Sequence, residues 1–185
     1  MMKKYAVVFI FMCILATGTC FAAGFELTSP DLHKGGKLNM EQVFNGFGCT
    51  GGNISPALMW QGAPKDTKSF AVTVYDPDAP TGSGWWHWVI FNIPANISVL
   101  PKNAGAPASG LAPAGSLQGR TDYGAPGYGG ACPPQGDKPH RYIFTVYALD
   151  IDKLPLDANA SAAMVGFNLN RHALAKASIT VKFAR

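Results

Sequence analysis

Along this chain the hydrophobic positions come in short blocks, and most of the blocks read as strands. Ser69-Phe70-Ala71-Val72-Thr73-Val74-Tyr75 has no breaker and is rich in β-branched and aromatic residues, which suit a pleated, packed surface. Trp88 to Ile93 is equally strong and stops at Pro94, Tyr142 to Leu149 is a third such block, and Ile179 to Phe183 closes the chain. Phe25 to Ser29 alternates, Ala57 to Trp60 follows a turn region at Gly51 to Pro56, and Leu38 to Phe44 is a weaker strand candidate. Continuous apolar blocks, rather than alternating ones, predict strands covered on both faces, as in the middle of a sandwich. One helix is predicted. Ala160, Ala163, Met164, Phe167 and Leu174 fall near a helical stripe, read as core packing, after Asp157 or Asn159 as caps. Gly166 weakens that helix by about 1 kcal/mol relative to alanine. The class is therefore mostly β, with a late helix on its margin.

The first block is of another kind. Met1-Met2-Lys3-Lys4 is positive, Tyr5 to Leu15 is almost wholly apolar, and small neutral residues lead to Ala22, with Phe21 the exception. This is the layout of a secretory signal peptide over residues 1–22, with cutting expected after Ala22 or Ala23. Its apolar core is too short to span a bilayer, and no later segment is apolar enough to do so. The remaining residues, 23–185, form one domain large enough to bury a core. The protein is expected to be periplasmic or secreted, with no membrane span. Removing Lys3 and Lys4 lowers the net charge from +4 to +2. With no clustered basic run, this gives no reason to expect nucleic acid.

Export changes the cysteine arithmetic. Cys13 and Cys20 leave with the leader, so Cys49 and Cys132 remain. Two cysteines in an exported chain favour a disulfide over two free thiols. The bridge would close a loop of about 80 residues, worth roughly 4–5 kcal/mol in the chain-entropy description. The sequence contains no Cys-x-x-Cys pair and no four-ligand zinc pattern.

Candidate chemistry gathers at the ends of the strong blocks. Asp76-Pro77-Asp78 stands where the first ends, and Pro77 limits how far its neighbours can swing. His87 stands at the start of the second, among Trp85, Trp86 and Trp88, and His140 opens the third. Between them, residues 101–139 hold nine glycines and seven prolines. A loop of that size inside a domain points to disorder or function. Tyr123, Tyr128 and Cys132 argue for order in its second half, Gly127 to Pro139. If the strong strands lie side by side, three strand ends bring two carboxylates and two imidazoles to one rim beside an aromatic wall. That is the profile of a small-ligand pocket.

The residues also carry a resemblance. Asp76-Pro77-Asp78-Ala79-Pro80, then Trp86-His87-Trp88 and Asn92-Ile93, resembles one signature of the phosphatidylethanolamine-binding protein (Raf kinase inhibitor protein) family. Gly129-Gly130-Ala131-Cys132-Pro133-Pro134-Gln135-Gly136, then His140-Arg141-Tyr142, resembles the other. The leader, the compact length and Phe47 to Pro56 resemble the bacterial YbhB/YbcL branch in an exported form. The resemblance implies a Greek-key β-sandwich with one or two peripheral helices and a shallow pocket for anions, such as phosphate-bearing small molecules or phospholipid head groups. It implies Asp76, Asp78, His87, Gly130, Pro133, His140 and Tyr142 as the ligand-binding residues. No cofactor or metal is implied. Histidines that carry protons, or that donate N–H groups, suit such a site, and binding is expected to strengthen as pH falls from about 8 to 6.

Other classes remain. A protein-interaction role, inhibiting a kinase or protease through the surface, is the main alternative, and a homodimer stays open. Two carboxylates and two histidines could also serve a metal or acid–base hydrolysis. The sequence has no Gly-x-Ser-x-Gly elbow and no His-Glu-x-x-His helix. A binding protein rather than an enzyme is expected.

Overall fold

The computed structural model describes residues 24–185. The expected signal peptide, residues 1–22, lies outside them. Five antiparallel strands form the main sheet: β5 (Ser69–Asp76), β6 (Trp85–Pro94), β8 (Leu117–Gln118), β9 (His140–Leu149) and β10 (Ala173–Phe183), in the order β10-β9-β5-β6-β8. A second sheet holds β1 (Glu26–Thr28), β4 (Leu58–Gln61) and β7 (Val99–Leu100), in the order β1-β4-β7. A two-stranded hairpin, β2 (Asn45–Gly46) with β3 (Cys49–Thr50), stands apart from both. One helix, α1 (Ala162–His172), precedes β10. The described residues are thus mostly β with one helix, as expected.

The continuous apolar blocks have the predicted cause. On one face of the main sheet, Phe70, Val72, Val74, Trp88, Ile90, Phe144, Val146 and Val181 pack with Leu27, Leu58, Trp60 and Leu100 of the small sheet. On the other face, Ala71, Val89, Phe91 and Leu149 pack with Ala162, Val165 and Leu169 of α1. Most positions of the central strands therefore have apolar cover, and the alternation of a one-sided sheet largely disappears.

Two expectations about local structure are corrected. The helix turns a different face inward. Ala162, Val165 and Leu169 are buried, whereas Met164 and Phe167 are 51% and 66% exposed. The three buried residues, spaced by three and four, form a narrow stripe that covers the sheet. Leu174 belongs to β10, not to the helix. The cap is Ser161, whose Oγ accepts from the Met164 amide at 3.2 Å, instead of Asp157 or Asn159. Leu38 to Phe44 is not a strand. It contains a single 3-10 turn, Met40–Gln42, because its amides bond locally and to a distant loop: Gln42 N to Asn39 O and Phe44 N to Ala131 O. The 101–139 segment is packed on the core in its second half, as expected, and also earlier, at Ala104. Ala104, Tyr128 and Ala131 are buried, and the Tyr128 hydroxyl donates to Gln42 O at 2.8 Å.

Strand β6 departs from regular pairing where it matters for the site. Val74 of β5 pairs with Trp88, but its neighbour Tyr75 pairs with Trp86. His87 is the extra residue, a β-bulge. The bulge shifts the alternation of side chains. Trp86 packs with the α1-side cluster, and the His87 ring meets Tyr142 of β9, centroids 5.1 Å apart.

Candidate functional site

Asp76 is the last residue of β5 and pairs with Trp85 at the start of β6. His140 is the first residue of β9, the strand on the other side of β5. The three strand ends do meet. They border a cavity of about 200 Å³. Asp76, Thr81, His87, His140 and Tyr142 are among its polar lining residues, and Trp85, Tyr123, Phe47, Pro133 and Pro134 supply most of its aromatic and proline wall.

The Asp76 carboxylate is fixed at both oxygens. Oδ1 accepts from the Asp78 amide at 2.8 Å, a turn that Pro77 favours, and Oδ2 meets His140 Nδ1 at 2.8 Å. The pair is buried, with side-chain exposures of 3% for Asp76 and 5% for His140. The other nitrogen of His140, Nε2, lies 3.3 Å from Asp137 Oδ2. Asp76, His140 and Asp137 thus form a continuous chain of polar contacts. No three ligand-type side chains converge on a point among the described residues. The Tyr142 hydroxyl lies near Asp76 but makes no well-formed hydrogen bond. Burial, with the Asp76 charge beside it, pushes its pKa up and keeps it a neutral phenol.

His87 is held by the loop that the sequence marked as unusual. Its Nδ1 lies 2.8 Å from Gly129 O and 3.1 Å from Gly130 O, and its own carbonyl accepts from the Gly129 amide. Burial pushes its pKa below the usual value, and the two carbonyls and Asp76 offset that only in part. Burial thus disfavours a protonated ring for His87 and leaves the other role expected of the site histidines, that of an N–H donor. The ring does donate an N–H, but to backbone rather than to the cavity. Its Nε2 is buried without a protein partner, as are Trp85 Nε1 and the Tyr142 hydroxyl.

The remaining expected residues fall in three places. Pro133 lines the cavity. Gly130 acts through its backbone: its carbonyl accepts from His87 and from the Tyr123 hydroxyl (2.7 Å), and its amide donates to Asn53 Oδ1 (2.7 Å). A Cβ there would run into the main chain of Gln42, Val43 and Phe44, so only glycine fits. Asp78 lies outside the cavity lining. Arg141 grips it through Nε at 2.9 Å, Nη2 at 2.6 Å and the main-chain amide at 2.8 Å. That guanidinium holds the Asp78 carboxyl at about 2, down from 3.8.

Sequence reasoning missed Phe47 and Asp137. Phe47 is the tip of the β2–β3 hairpin, with a left-handed φ of 52° and 69% exposure, and its ring stacks on Tyr123 at 5.7 Å. Nothing local forecasts that conformation for a bulky residue. The Cys49–Cys132 bridge joins this hairpin to the Pro133 wall. Arg185 ties the same two parts, donating from Nε to Pro133 O (2.7 Å) and from Nη1 to Phe47 O (3.4 Å).

The sequence and the fold have known counterparts. The family described as phosphatidylethanolamine-binding protein matches residues 28–184. The chain belongs to that family. Within it, the chain is similar to two UPF0098 proteins of Escherichia coli strain K12. YbhB is 58% identical over 161 residues, covering 86% of this chain and 99% of the relative. YbcL is 57% identical over 159 residues, covering 86% and 87%. The crystal structure of E. coli YbcL, described as a new member of the mammalian PEBP family, superposes with a TM-score of 0.86 and covers 88% of this chain and 99% of that one. The phosphatidylethanolamine-binding protein resemblance read from the Asp76 and Gly129 motifs is therefore shown, and it extends over nearly all the described residues.

Proposed function

We propose that this chain is a non-enzymatic binding protein whose cavity takes a small phosphate-bearing ligand. The observation that carries the reading is the cavity itself. It is small, walled by aromatic and proline side chains, and built at the meeting of three strand ends. Three of its lining residues, Trp85, His87 and Tyr142, each keep one buried polar atom without a protein partner, a state that is uncommon away from functional sites. The family description supports a phospholipid head group or a related phosphate compound as the ligand class. Cys132 is consumed in the bridge to Cys49 and offers no nucleophile.

The chain is exported in this reading. The bridge between Cys49 and Cys132 suits an oxidising compartment. The mass of the protein recovered from its native host should correspond to a chain that begins at Ala23 or Gly24.

Calorimetric titration of phosphoethanolamine and inorganic phosphate tests the site. Both bind, and binding strengthens from about pH 8 to 6 as the dianionic phosphate takes up a proton, with a pKa of about 6 for a monoester. His87→Ala and His140→Ala weaken binding. Affinity unchanged by both substitutions rejects this cavity as the site.

A further inference from the structure

The outer edge of β10 is only partly covered. β10 ends the main sheet, and Thr180 and Lys182 turn their main-chain groups away from β9. Residues 35–38 meet them there. Gly35 N donates to Thr180 O at 2.8 Å, Lys182 N to Gly36 O at 2.9 Å and Leu38 N to Lys182 O at 2.9 Å. This short segment runs parallel to β10, with Lys37 opposite Lys182. Main-chain groups alternate in direction along a strand, and the β9–β10 register is unbroken from Ala175 to Phe183. Lys176 and Ser178 therefore turn their N–H and C=O to the same open side. No main-chain partner meets them there among the described residues. Beside this free stretch lies a groove of about 460 Å³, which shares no lining residue with the strand-end cavity. Its other bank is β1, the edge strand of the small sheet. Leu27, Leu32, Ala177 and Ile179 give the groove a buried apolar floor.

We propose that this edge and groove form a docking site for an extended peptide segment of a partner polypeptide, which adds to β10 as a further strand. The chain itself supplies the precedent, since residues 35–38 already occupy the next stretch of the same edge in this way. Strand addition gives the open N–H and C=O groups of Lys176 and Ser178 their missing partners, and the side chains of the added strand alternate between its two faces. Those on the groove side lie over the apolar floor, so apolar residues suit them. On the other face, the position opposite Lys176 is read by charge. The Lys176 ammonium donates to Asn170 Oδ1 at 2.7 Å but meets no carboxylate among the described residues. A glutamate opposite it completes a cross-strand ion pair. A second copy of β10 brings another lysine instead, and a lysine on an edge strand is a device against self-pairing. The site does not depend on what the strand-end cavity binds.

The probe is the peptide acetyl-Thr-Val-Glu-Val-Thr-amide, which sets both valines toward the groove when its glutamate lies opposite Lys176. Its titration into the nitrogen-15-labelled protein shifts the Lys176 and Ser178 amides and slows their hydrogen exchange at least about tenfold. Two N-methylated forms, one at the glutamate and one at both valines, separate strand addition from loose contact. Only alternate amides face the edge, so one form binds and the other does not. In Lys176→Glu the charge preference turns over: the peptide with lysine in place of glutamate binds about fivefold tighter than the original. Ser178→Pro removes an edge N–H at a position where an edge strand tolerates proline, and binding is lost. Should that variant fold poorly, the N-methylated pair and the charge reversal still decide. Unmoved Lys176 and Ser178 amides, equal binding by both N-methylated forms, or no binding at about 1 mM peptide overturns the proposal. So does a concentration-dependent dimer in sedimentation that Ser178→Pro abolishes, because a second copy then holds the edge.

Discussion

Asp76 and His140 meet at 2.8 Å across the ends of neighbouring strands, and both are buried. Neither is close to the other in sequence. The pair forms because β9 lies antiparallel beside β5 and begins at the edge where β5 ends, with Tyr75 paired to Ile143. Removing one member leaves the other buried without its partner. Asp76→Ala is expected to lower unfolding free energy by about 3 kcal/mol in urea or guanidinium titrations. The double variant with His140→Ala should lose less than the sum of the two singles. Additive losses would show that the two side chains act independently.

Asp78 behaves differently, although it is only two residues away. Its lowered pKa fixes the sign of its contribution. The folded value of about 2 lies below the usual 3.8, so the stabilisation is complete above about pH 4 and is lost as pH falls towards 2. Asp78→Asn should therefore flatten this part of the acid unfolding curve. The effect at neutral pH is modest and salt-sensitive, because Arg141 is half-exposed. Phosphoethanolamine affinity should not change in this variant. A large loss of affinity would return Asp78 to the site.

The contrast between these two aspartates shows how far the sequence could be read. The Asp-Pro-Asp motif placed two carboxylates at a strand end, and both are there. Which one faces the cavity depends on Arg141, a residue 63 positions later, and a linear motif carries no such information. The same holds for His87. The sequence set it at a strand entry among tryptophans, but only the pairing of Val74 with Trp88 and of Tyr75 with Trp86 reveals the bulge that turns it inward. Strands β5, β6 and β9 were legible because burial on both faces writes long apolar blocks, whereas β10, with its alternating exposed positions, showed only its last part, Ile179 to Phe183. The two-residue strands β2, β3, β7 and β8 were not, because so few residues hold no period. The helix was legible in place but not in facing, since Met164 and Phe167 mimic a core stripe while standing in solvent.

The disulfide should matter for both stability and the cavity wall. Its loop spans a sequence separation of 83 residues. Replacing both Cys49 and Cys132 by serine is expected to cost about 4 kcal/mol, which lowers Tm by roughly 10 °C for a domain of this size. The bridge also ties Phe47 to Pro133 across the mouth of the cavity, so ligand affinity should fall in the same variant. An unchanged Tm would mean that Arg185 and the loop's hydrogen bonds already hold the two parts together.

Gly130 tests the backbone side of the site. Gly130→Ala pushes a methyl group against the main chain of Gln42, Val43 and Phe44. A loss of about 3 kcal/mol is expected from that overpacking. The displaced carbonyl should also loosen His87, visible as exchange broadening of its ring signals. A stable variant with a sharp His87 spectrum would show that the loop can yield.

The most direct measurement is a crystal structure of the protein with phosphoethanolamine bound. The account predicts the phosphate inside the cavity between Trp85, Tyr123 and Pro133, with the Asp76–His140 pair intact behind it. Density for the phosphate elsewhere on the surface, with this cavity empty at saturating ligand, would contradict it.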